Sequence, residues 1–207
     1  MKMRQVALGV AAVVFGAGAQ AFEEGSVLMR GRVIYVEPTG HSNSVGGLGT
    51  VKADGAATGE LDFSYFFTPY FAAELILGTT SHDIHWDKGG LGGKVGEVSV
   101  LPPTLLFQYH PFSKGWFQPY VGVGLNYTYF YDVDSRYGDL SLDPSWGPAG
   151  QLGVDFVFKK FFINLDVKYI DMTTEASLKG NNGAWIDRKF DVDINPVIAG
   201  VGVGIKF

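Results

Sequence analysis

The chain contains no cysteine among its 207 residues, which excludes a disulfide, a thiolate metal site and a cysteine nucleophile. It also lacks a basic excess, since 16 Lys and Arg residues stand against 21 Asp and Glu residues, for a formal net charge of −5. Nucleic-acid-binding proteins need a basic surface, so this balance argues against that function. Beyond the N-terminal segment, no apolar run is long enough for a spanning helix. A membrane location would therefore require a closed β-barrel, which also satisfies its own backbone in lipid.

The N-terminal segment has the composition of a targeting sequence. Lys2 and Arg4 precede an apolar run of small residues from Val6 to Ala19, and Ala19–Ala21 fits the small-x-small cleavage rule. The alternative is an N-terminal membrane anchor, but the run is shorter than the ~20 residues that a spanning helix needs. We therefore predict a cleaved signal peptide at residues 1–21 and a mature domain at residues 22–207.

Glycine and aromatic residues are abundant in the mature chain, and they alternate with a period of two. The 29 glycines and the aromatic content of 14% favour strands and turns over helices. The clearest alternation runs from Phe117 to Tyr131, and similar patterns occupy 161–170 and 195–207. In the first segment one face carries Phe117, Val121, Val123, Leu125, Tyr127 and Tyr129, and the other carries Gln118, Gly122, Gly124, Asn126 and Thr128.

The polar face distinguishes a barrel in lipid from a soluble sandwich, which alternates in the same way. Here that face is rich in glycine, which suits a narrow and crowded lumen. The apolar face has aromatic residues at its ends, which suits lipid and its two interfaces. By this interpretation Phe207 is an outward aromatic at the lower membrane interface, and Gly200, Gly202 and Gly204 make room inside the barrel.

The pattern predicts an all-β fold, an eight-stranded antiparallel up-and-down transmembrane β-barrel with both termini in the periplasm. Short connections at Thr68–Pro69, near Lys114 and at Lys159–Lys160 alternate with long polar ones at 38–57, 81–95, 132–145 and 173–187. The predicted strands are 26–37, 58–68, 70–80, 96–110, 117–131, 146–158, 161–172 and 188–207.

Two proline sites interrupt the predicted strands. Pro102 and Pro103 lie within the fourth strand, where they remove ladder donors, so we expect a local break in pairing there. In the last strand the outward parity slips near Asn195–Pro196, because Val192 and Ile194 are apolar before it and Val197 after it. A bulge at Pro196 would reconcile the two halves.

Several blocks of the chain resemble the OmpW family of small outer-membrane barrels, and together they extend over essentially the whole mature chain. The specific blocks are LPPTLLFQYH at Leu101–His110 and QPYVGVGLNYTYFYD at Gln118–Asp132. Further similar pieces are DLSLDPSWGPAGQLGVDF at Asp139–Phe156, NLDVKYIDMTT at Asn164–Thr174, GSVLMRGRVIYVEP at Gly25–Pro38 and the terminal Phe207.

The resemblance implies a monomeric barrel in the outer membrane of a Gram-negative bacterium. Family members are implicated in the passage of small hydrophobic molecules across that membrane. The expected partners are therefore small hydrophobic molecules, outer-membrane lipid, and the barrel-assembly machinery acting through the C-terminal strand that ends in Phe207. We expect no cofactor and no enzymatic activity.

Projecting the inward parity of each predicted strand gives a candidate site inside the barrel. The expected upper part is an apolar vestibule, and the expected lower part is a charged floor whose opposite charges pair, because an unpaired buried charge is very costly. The vestibule residues are Ile34, Val36, Ile76, Val98, Val100, Leu106 and Ile170. The floor residues are Arg30, Arg32, Glu74, His110, Asp155, Asp166 and Lys168, and the same parity turns Glu60 and Asp62 inward.

The resulting hypothesis is that an apolar solute enters the vestibule, cannot pass the floor, and leaves sideways into lipid near Pro102 and Pro103. Two alternatives stay open. The apolar lumen residues could simply fill a small barrel, and the protein could be a filled structural barrel whose long loops mediate surface interaction or adhesion. An outer-membrane enzyme has the least support.

Two further motifs carry weaker signals. His82, Asp83, His85 and Asp87 are residue types that bind metal, but a solvated polar loop explains them, since no rigid element fixes a further ligand. The segment Gly89–Lys94 resembles a phosphate-binding loop but lacks its spacing and a following helix. We therefore predict no metal site.

Overall fold

The computed structural model of the chain describes residues 21–40, 51–86, 94–135, 138–180 and 188–207. The predicted signal peptide, apart from Ala21, lies outside these ranges, as do Asp87 and most of the glycine-rich segment before Lys94. Among the described residues, no helix has the length and apolar character to cross a bilayer.

Strands make up nearly all of the described chain, and they run antiparallel to their neighbours. They are β1 (Val27–Pro38), β2 (Val51–Ala53), β3 (Ala56–Thr68), β4 (Phe71–Gly78), β5 (Thr80–Trp86), β6 (Lys94–Leu101), β7 (Thr104–Tyr109), β8 (Phe117–Ser135), β9 (Gly138–Leu142), β10 (Ser145–Phe158), β11 (Phe161–Ile170), β12 (Thr173–Gly180), β13 (Arg188–Asp193) and β14 (Pro196–Lys206).

Eight of these strands close into a barrel, which confirms the predicted fold. They pair in the order β1, β3, β4, β7, β8, β10, β11 and β14, and β14 returns to β1. The pairing register from Val27 once around the barrel leads back to Glu37, ten residues further along β1. This stagger tilts the strands and sets a lumen about wide enough for side chains to fill.

The barrel has two distinct ends. The lower end carries the short connections, for example between Thr68 and Phe71 and between Phe158 and Phe161, together with both ends of the described barrel chain. At the upper end, β5, β6 and β2 extend the wall beside β8, and β9, β12 and β13 form a separate small sheet.

The predicted long loops therefore contain more strand than expected. The segments 38–57, 81–95, 132–145 and 173–187 include β2, the end of β8, β5, β9, the start of β6 and β12. Their sequences are short and polar, so they lack an apolar face that would distinguish a strand from a solvated loop. They form strands because they pair with one another above the barrel, β12 with β9, β2 with β5 and β5 with β6.

The outer wall is apolar, with an aromatic band at each end. Outward side chains between the bands remain exposed, such as Val33 at 65%, Val123 at 63% and Leu152 at 66%. This is the surface expected to contact lipid, with rings at the two interfaces. The lower band includes Phe67, Phe71, Tyr109, Phe112, Trp116, Phe117, Phe161 and Phe207, and the upper band includes Tyr35, Tyr129, Trp146 and Tyr169.

The glycines of β14 face the lumen and make room for large neighbours, as the sequence predicts. A Cβ on Gly202 would overlap backbone and side-chain atoms around Arg32, and a Cβ on Gly204 would overlap the Phe162 ring. Phe207 points outward and is 70% exposed. Its amide donates to the Val27 carbonyl at 2.9 Å, which ties the last residue to β1.

Replacement of Gly204 by Val is expected to destabilise the barrel by about 1–3 kcal/mol, because the added carbons collide with a buried aromatic ring. Gly150→Val is the matched control, since a Cβ at Gly150 meets nothing within 4 Å. Urea unfolding in lipid vesicles, followed by tryptophan fluorescence, measures both variants. Equal stability of the two would show that the lumen does not need the glycine.

The predicted bulge at Pro196 is wrong. From Tyr169 to Thr173 and from Asp193 to Val197, the two paired strands each advance by four residues, so no residue is inserted. The ladder is only interrupted there, with Asn195 at φ 43° and its side chain accepting from the Met172 amide at 2.8 Å.

Candidate functional site: a lumen cavity above a charged floor

The upper lumen holds a cavity of about 170 Å³ with a mostly apolar lining. Six of the seven predicted vestibule residues line it, namely Ile34, Val36, Ile76, Val98, Val100 and Ile170. The seventh, Leu106, is 1% exposed and belongs to the same apolar cluster, but it does not line the cavity. The inward parity of the strands therefore brings six of these side chains together around the cavity.

Other lining residues were missed by the sequence analysis. Phe130 and Met172 belong to the same buried cluster and line the cavity. Val192 and Ile194 also line it, so the apolar residues before Pro196 face inward and not toward lipid. If the sequence analysis had kept the even-numbered residues facing inward on both sides of Pro196, it would have identified both of them.

The floor below the cavity is centred on Arg30, whose side chain is fully buried. Its guanidinium donates to Glu74 Oε1 at 3.0 Å, to Asp155 Oδ2 at 2.8 Å and to Ser64 Oγ at 2.6 Å. Arg30 faces Asp62 across the β1–β3 pair, and Glu74 comes from β4 and Asp155 from β10. One side chain thus connects strands around the barrel.

Arg32 and Lys168 extend the network up to the base of the cavity. Arg32 lies within 3.0 Å of Glu60 Oε1 and of Asp62 Oδ2, and within 3.2 Å of Glu74 Oε1. Lys168 bridges Glu60 and Asp166, the latter at 2.9 Å. Glu60 and Lys168 also line the cavity, so the floor begins where the apolar lining ends.

Acidic groups outnumber basic ones in this buried network. Three cations, Arg30, Arg32 and Lys168, face the five carboxyl groups of Glu60, Asp62, Glu74, Asp155 and Asp166. Both carboxylate oxygens of Asp62 and one of Asp166 have no hydrogen-bond partner in the described structure. A floor of this composition is unfavourable for anions.

His110 is buried as predicted, but it lies beneath the ion pairs in an aromatic layer. Its ring stacks on Tyr120 at 5.1 Å between centroids and contacts Phe66 at 4.8 Å. Phe22, which the sequence analysis left unassigned, inserts here at 1% exposure, 4.9 Å from the Phe66 ring. Phe22 precedes β1, so no strand periodicity could have identified it.

The two prolines interrupt one seam of the barrel. Pairing between β5 and β6 reaches Thr80↔Val100, and pairing between β4 and β7 resumes at Ile76↔Thr104. In that register Leu77, Gly78 and Thr79 face Pro103, Pro102 and Leu101 without ladder pairs.

The opposite side of the prolines stays joined to β8. The Tyr127 amide donates to the Pro103 carbonyl at 3.0 Å, and the Asn126 side-chain amide donates to the Pro102 carbonyl at 3.2 Å. The ladder is therefore interrupted on both sides of the prolines, but on the β8 side hydrogen bonds to the two proline carbonyls bridge the gap.

The His and Asp residues near the upper end do not converge. His82 is buried and lines the cavity, and Asp83 points outward to Lys94 at 2.6 Å. His85 approaches the Asp54 carboxylate at 3.7 Å. Within the described ranges, no cluster of three or more His, Asp or Glu side chains could hold a metal ion.

A closed antiparallel barrel with an apolar outer wall, two aromatic bands and a polar lumen defines a Gram-negative outer-membrane β-barrel protein. The family model described as "OmpW family" matches residues 23–207. The chain belongs to the OmpW family. Its lower end accordingly faces the periplasm, and its upper end faces the cell exterior.

Relatives cover nearly the full length of the chain. It is 34% identical to outer membrane protein W of Vibrio cholerae, over 100% of both chains. It is 39% identical to the uncharacterized outer-membrane protein y4mB of Sinorhizobium fredii, over 87% of this chain and 79% of that protein. The crystal structure of OprG from Pseudomonas aeruginosa matches with a TM-score of 0.83 and 33% identity, covering 92% of this chain and 99% of OprG.

Proposed function

We propose that the protein takes up small hydrophobic molecules through the upper lumen cavity and releases them sideways into the outer membrane. The observation that carries this proposal is the apolar cavity of about 170 Å³ that ends on a buried ion-pair network. For comparison, a dry apolar cavity of about 150 Å³ binds a molecule the size of benzene. The family resemblance supports the same class of solute.

The floor makes a direct path to the periplasm unfavourable. A solute moving down would have to separate Arg32 and Lys168 from their carboxylates, and breaking a buried pair costs about 3–5 kcal/mol. Below that level the lumen is occupied by Tyr120, His110 and Phe22. An apolar molecule offers these groups no replacement hydrogen bonds.

The seam beside Pro102 and Pro103 supports sideways release. A depression on the outer wall is lined by Leu61, Leu77 and Leu101, and it shares Glu60, Gly78 and Thr79 with the lumen cavity. The wall between the cavity and lipid therefore lacks ladder pairs at the seam. The described hydrogen bonds that cross it come from Thr79 Oγ1, to the Val100 carbonyl oxygen at 3.1 Å and with the Tyr131 hydroxyl.

The alternative, a filled structural barrel that displays its loops, predicts a lumen packed with side chains. The described residues leave the cavity unfilled, which favours uptake.

The monomeric state, recognition of the Phe207 strand by the assembly machinery, and cleavage of residues 1–21 stay predictions.

Replacement of Ile76 by Arg is expected to reduce uptake of a labelled apolar solute at least tenfold. Ile76 lines the cavity and faces Asp62 across the β3–β4 pair. The new guanidinium would fill the cavity base while pairing with a carboxylate that lacks hydrogen bonds, so the barrel should still fold. Initial uptake rates in cells lacking the protein, with and without each variant restored, provide the measurement.

Ile76→Leu is the matched control and should retain uptake, because it conserves volume and apolarity. Heat-dependent migration in SDS gels verifies that both variants fold. Unchanged uptake by a folded Ile76→Arg variant would rule out the cavity as the route.

A further inference from the structure

The cavity wall is not uniformly apolar, because β5 presents two polar side chains to it. Thr80 and His82 are 7% and 6% exposed, lie two residues apart on the inward face of β5, and both line the cavity. Neither contributes to the floor network. Around them the lining is apolar, including Val98 and Val100 on the neighbouring strand β6.

The hydrogen bond of His82 determines what its ring offers to the cavity. Nδ1 lies 2.8 Å from the backbone carbonyl oxygen of Asp54. A carbonyl only accepts, so Nδ1 carries the proton, and Nε2 of the neutral ring is an acceptor. Among the described residues, no hydrogen-bond partner of Nε2 is present.

Thr80 adds a hydroxyl beside this acceptor. Its Oγ1 is buried and has no hydrogen-bond partner within the part of the chain that the structure describes. Leaving a buried hydroxyl unsatisfied is costly, and rotation about χ1 would turn it toward the cavity that its side chain lines. The other four cavity threonines differ, since each donates to a backbone carbonyl oxygen at 2.6–3.1 Å, namely Thr58, Thr79, Thr104 and Thr174.

The β5–β6 hairpin holds these two side chains in place. Lys94 of β6 contacts Asp83 of β5 at 2.6 Å and donates to Glu97 at 3.0 Å, and these hydrogen bonds raise the pKa of its ammonium above the usual value. The ladder pairs Thr80↔Val100 and His82↔Val98 orient both side chains toward the lumen. The pair Thr80–His82 is therefore positioned by the pairing of β5 with β6.

Resting on the proposed function, we propose that the preferred solutes are small neutral molecules with one hydroxyl group on an apolar body. The hydroxyl would donate to His82 Nε2 and accept from Thr80 Oγ1, which gives the buried threonine hydroxyl a partner. The apolar body would fill the remaining cavity, which limits it to about the size of a six-membered ring. Anionic molecules are disfavoured, because the floor beneath already has two more carboxyl groups than cations.

Cyclohexanol and methylcyclohexane, which have the same number of heavy atoms, provide the test. Each is titrated into ¹⁵N-labelled protein in lipid nanodiscs, and the amide shifts of Val98 and Val100 report binding. His82→Phe and Thr80→Val are each expected to lower the affinity for cyclohexanol relative to methylcyclohexane by roughly tenfold, because the ligand hydroxyl loses a partner in an apolar site.

Thr80→Ser keeps the hydroxyl and is expected to restore the wild-type preference. Thr173→Val makes the same isosteric change outside the cavity and serves as the control. Unaltered relative affinities in both His82→Phe and Thr80→Val, with both ligands still bound, would overturn the hydroxyl site and leave uptake of apolar solutes standing. If neither ligand shifts the cavity amides of the wild type, both proposals are overturned.

A second measurement needs no variant. The Nε2 ¹⁵N resonance of His82 is expected to shift when cyclohexanol binds, since a donor then reaches the acceptor lone pair, and to move much less with methylcyclohexane. Equal shifts with both ligands would contradict the assignment of His82 as the hydroxyl acceptor.

Discussion

Arg30→Met is expected to destabilise the barrel by about 3–5 kcal/mol, because it removes one partner of a buried ion-pair network. Arg30 is fully buried, and its guanidinium pairs with Asp155 and Glu74. Glu74 would keep a second partner in Arg32, so Asp155 is the carboxylate most affected by the change. Methionine retains much of the volume of the arginine side chain, so the lost stability arises from removal of the charge and not from a new cavity. Urea unfolding in lipid vesicles gives the free energy of unfolding for the variant and the wild type.

Two further variants define the cause. Lys160→Met removes an exposed cation and is expected to change stability by less than about 0.5 kcal/mol. Asp155→Asn added to Arg30→Met should recover part of the loss, because it removes the carboxylate that was left without its cation. A cost of Arg30→Met below about 1 kcal/mol would show that water reaches the floor, which would then no longer seal the lumen.

The residues that face the lumen were predictable because strand parity is strict. One inward residue fixes the next at two positions along the chain, so Arg30 and Arg32 on β1, and Asp166 and Lys168 on β11, could be assigned from the sequence alone. Their partners could not be assigned. Which carboxylate meets which guanidinium depends on the ten-residue stagger of the closed barrel, and no single strand encodes that stagger.

Thr80 and His82 show where parity gives no signal. TSHDIHW, at Thr80–Trp86, begins with four polar residues, so it resembles a solvated loop, and the sequence analysis placed most of it in one. The segment is a strand because β5 pairs with β6. The His82 ring is held further by its hydrogen bond to the Asp54 carbonyl oxygen. The most specific chemistry of the cavity therefore lies where tertiary pairing overrides the local pattern.

Pro102 and Pro103 illustrate a partial success. Missing amide hydrogens predict a broken ladder, and the ladder is broken. The sequence does not show on which side, because that depends on compensation from β8, where Asn126 and Tyr127 donate to the proline carbonyls. Repair from β8 alone leaves the opposite side of the prolines without ladder pairs, and this asymmetry gives the proposed exit a location.

A disulfide across that seam is expected to reduce uptake at least tenfold and to release the block when it is reduced. The register places Thr79 opposite Leu101, one residue beyond the ladder pair Thr80↔Val100. Facing residues of such a ladder have a Cα separation of about 4.5–5.5 Å, which a disulfide can span, and Thr79 Oγ1 still reaches the Val100 carbonyl oxygen at 3.1 Å. The chain has no native cysteine, so Thr79→Cys combined with Leu101→Cys forms the only possible intramolecular pair. Uptake is measured after oxidation and again after reduction, with crosslinking quantified by mass spectrometry.

Leu75→Cys combined with Leu105→Cys is the matched control, because it joins the same barrel strands where their ladder is intact. Its uptake should not depend on oxidation. Binding separates the two steps of the proposed route: the crosslinked seam should still admit a ligand to the cavity, whereas Ile76→Arg should exclude it. Full uptake through a fully crosslinked seam would place the exit elsewhere, and the floor around Arg32 and Lys168 would then have to open.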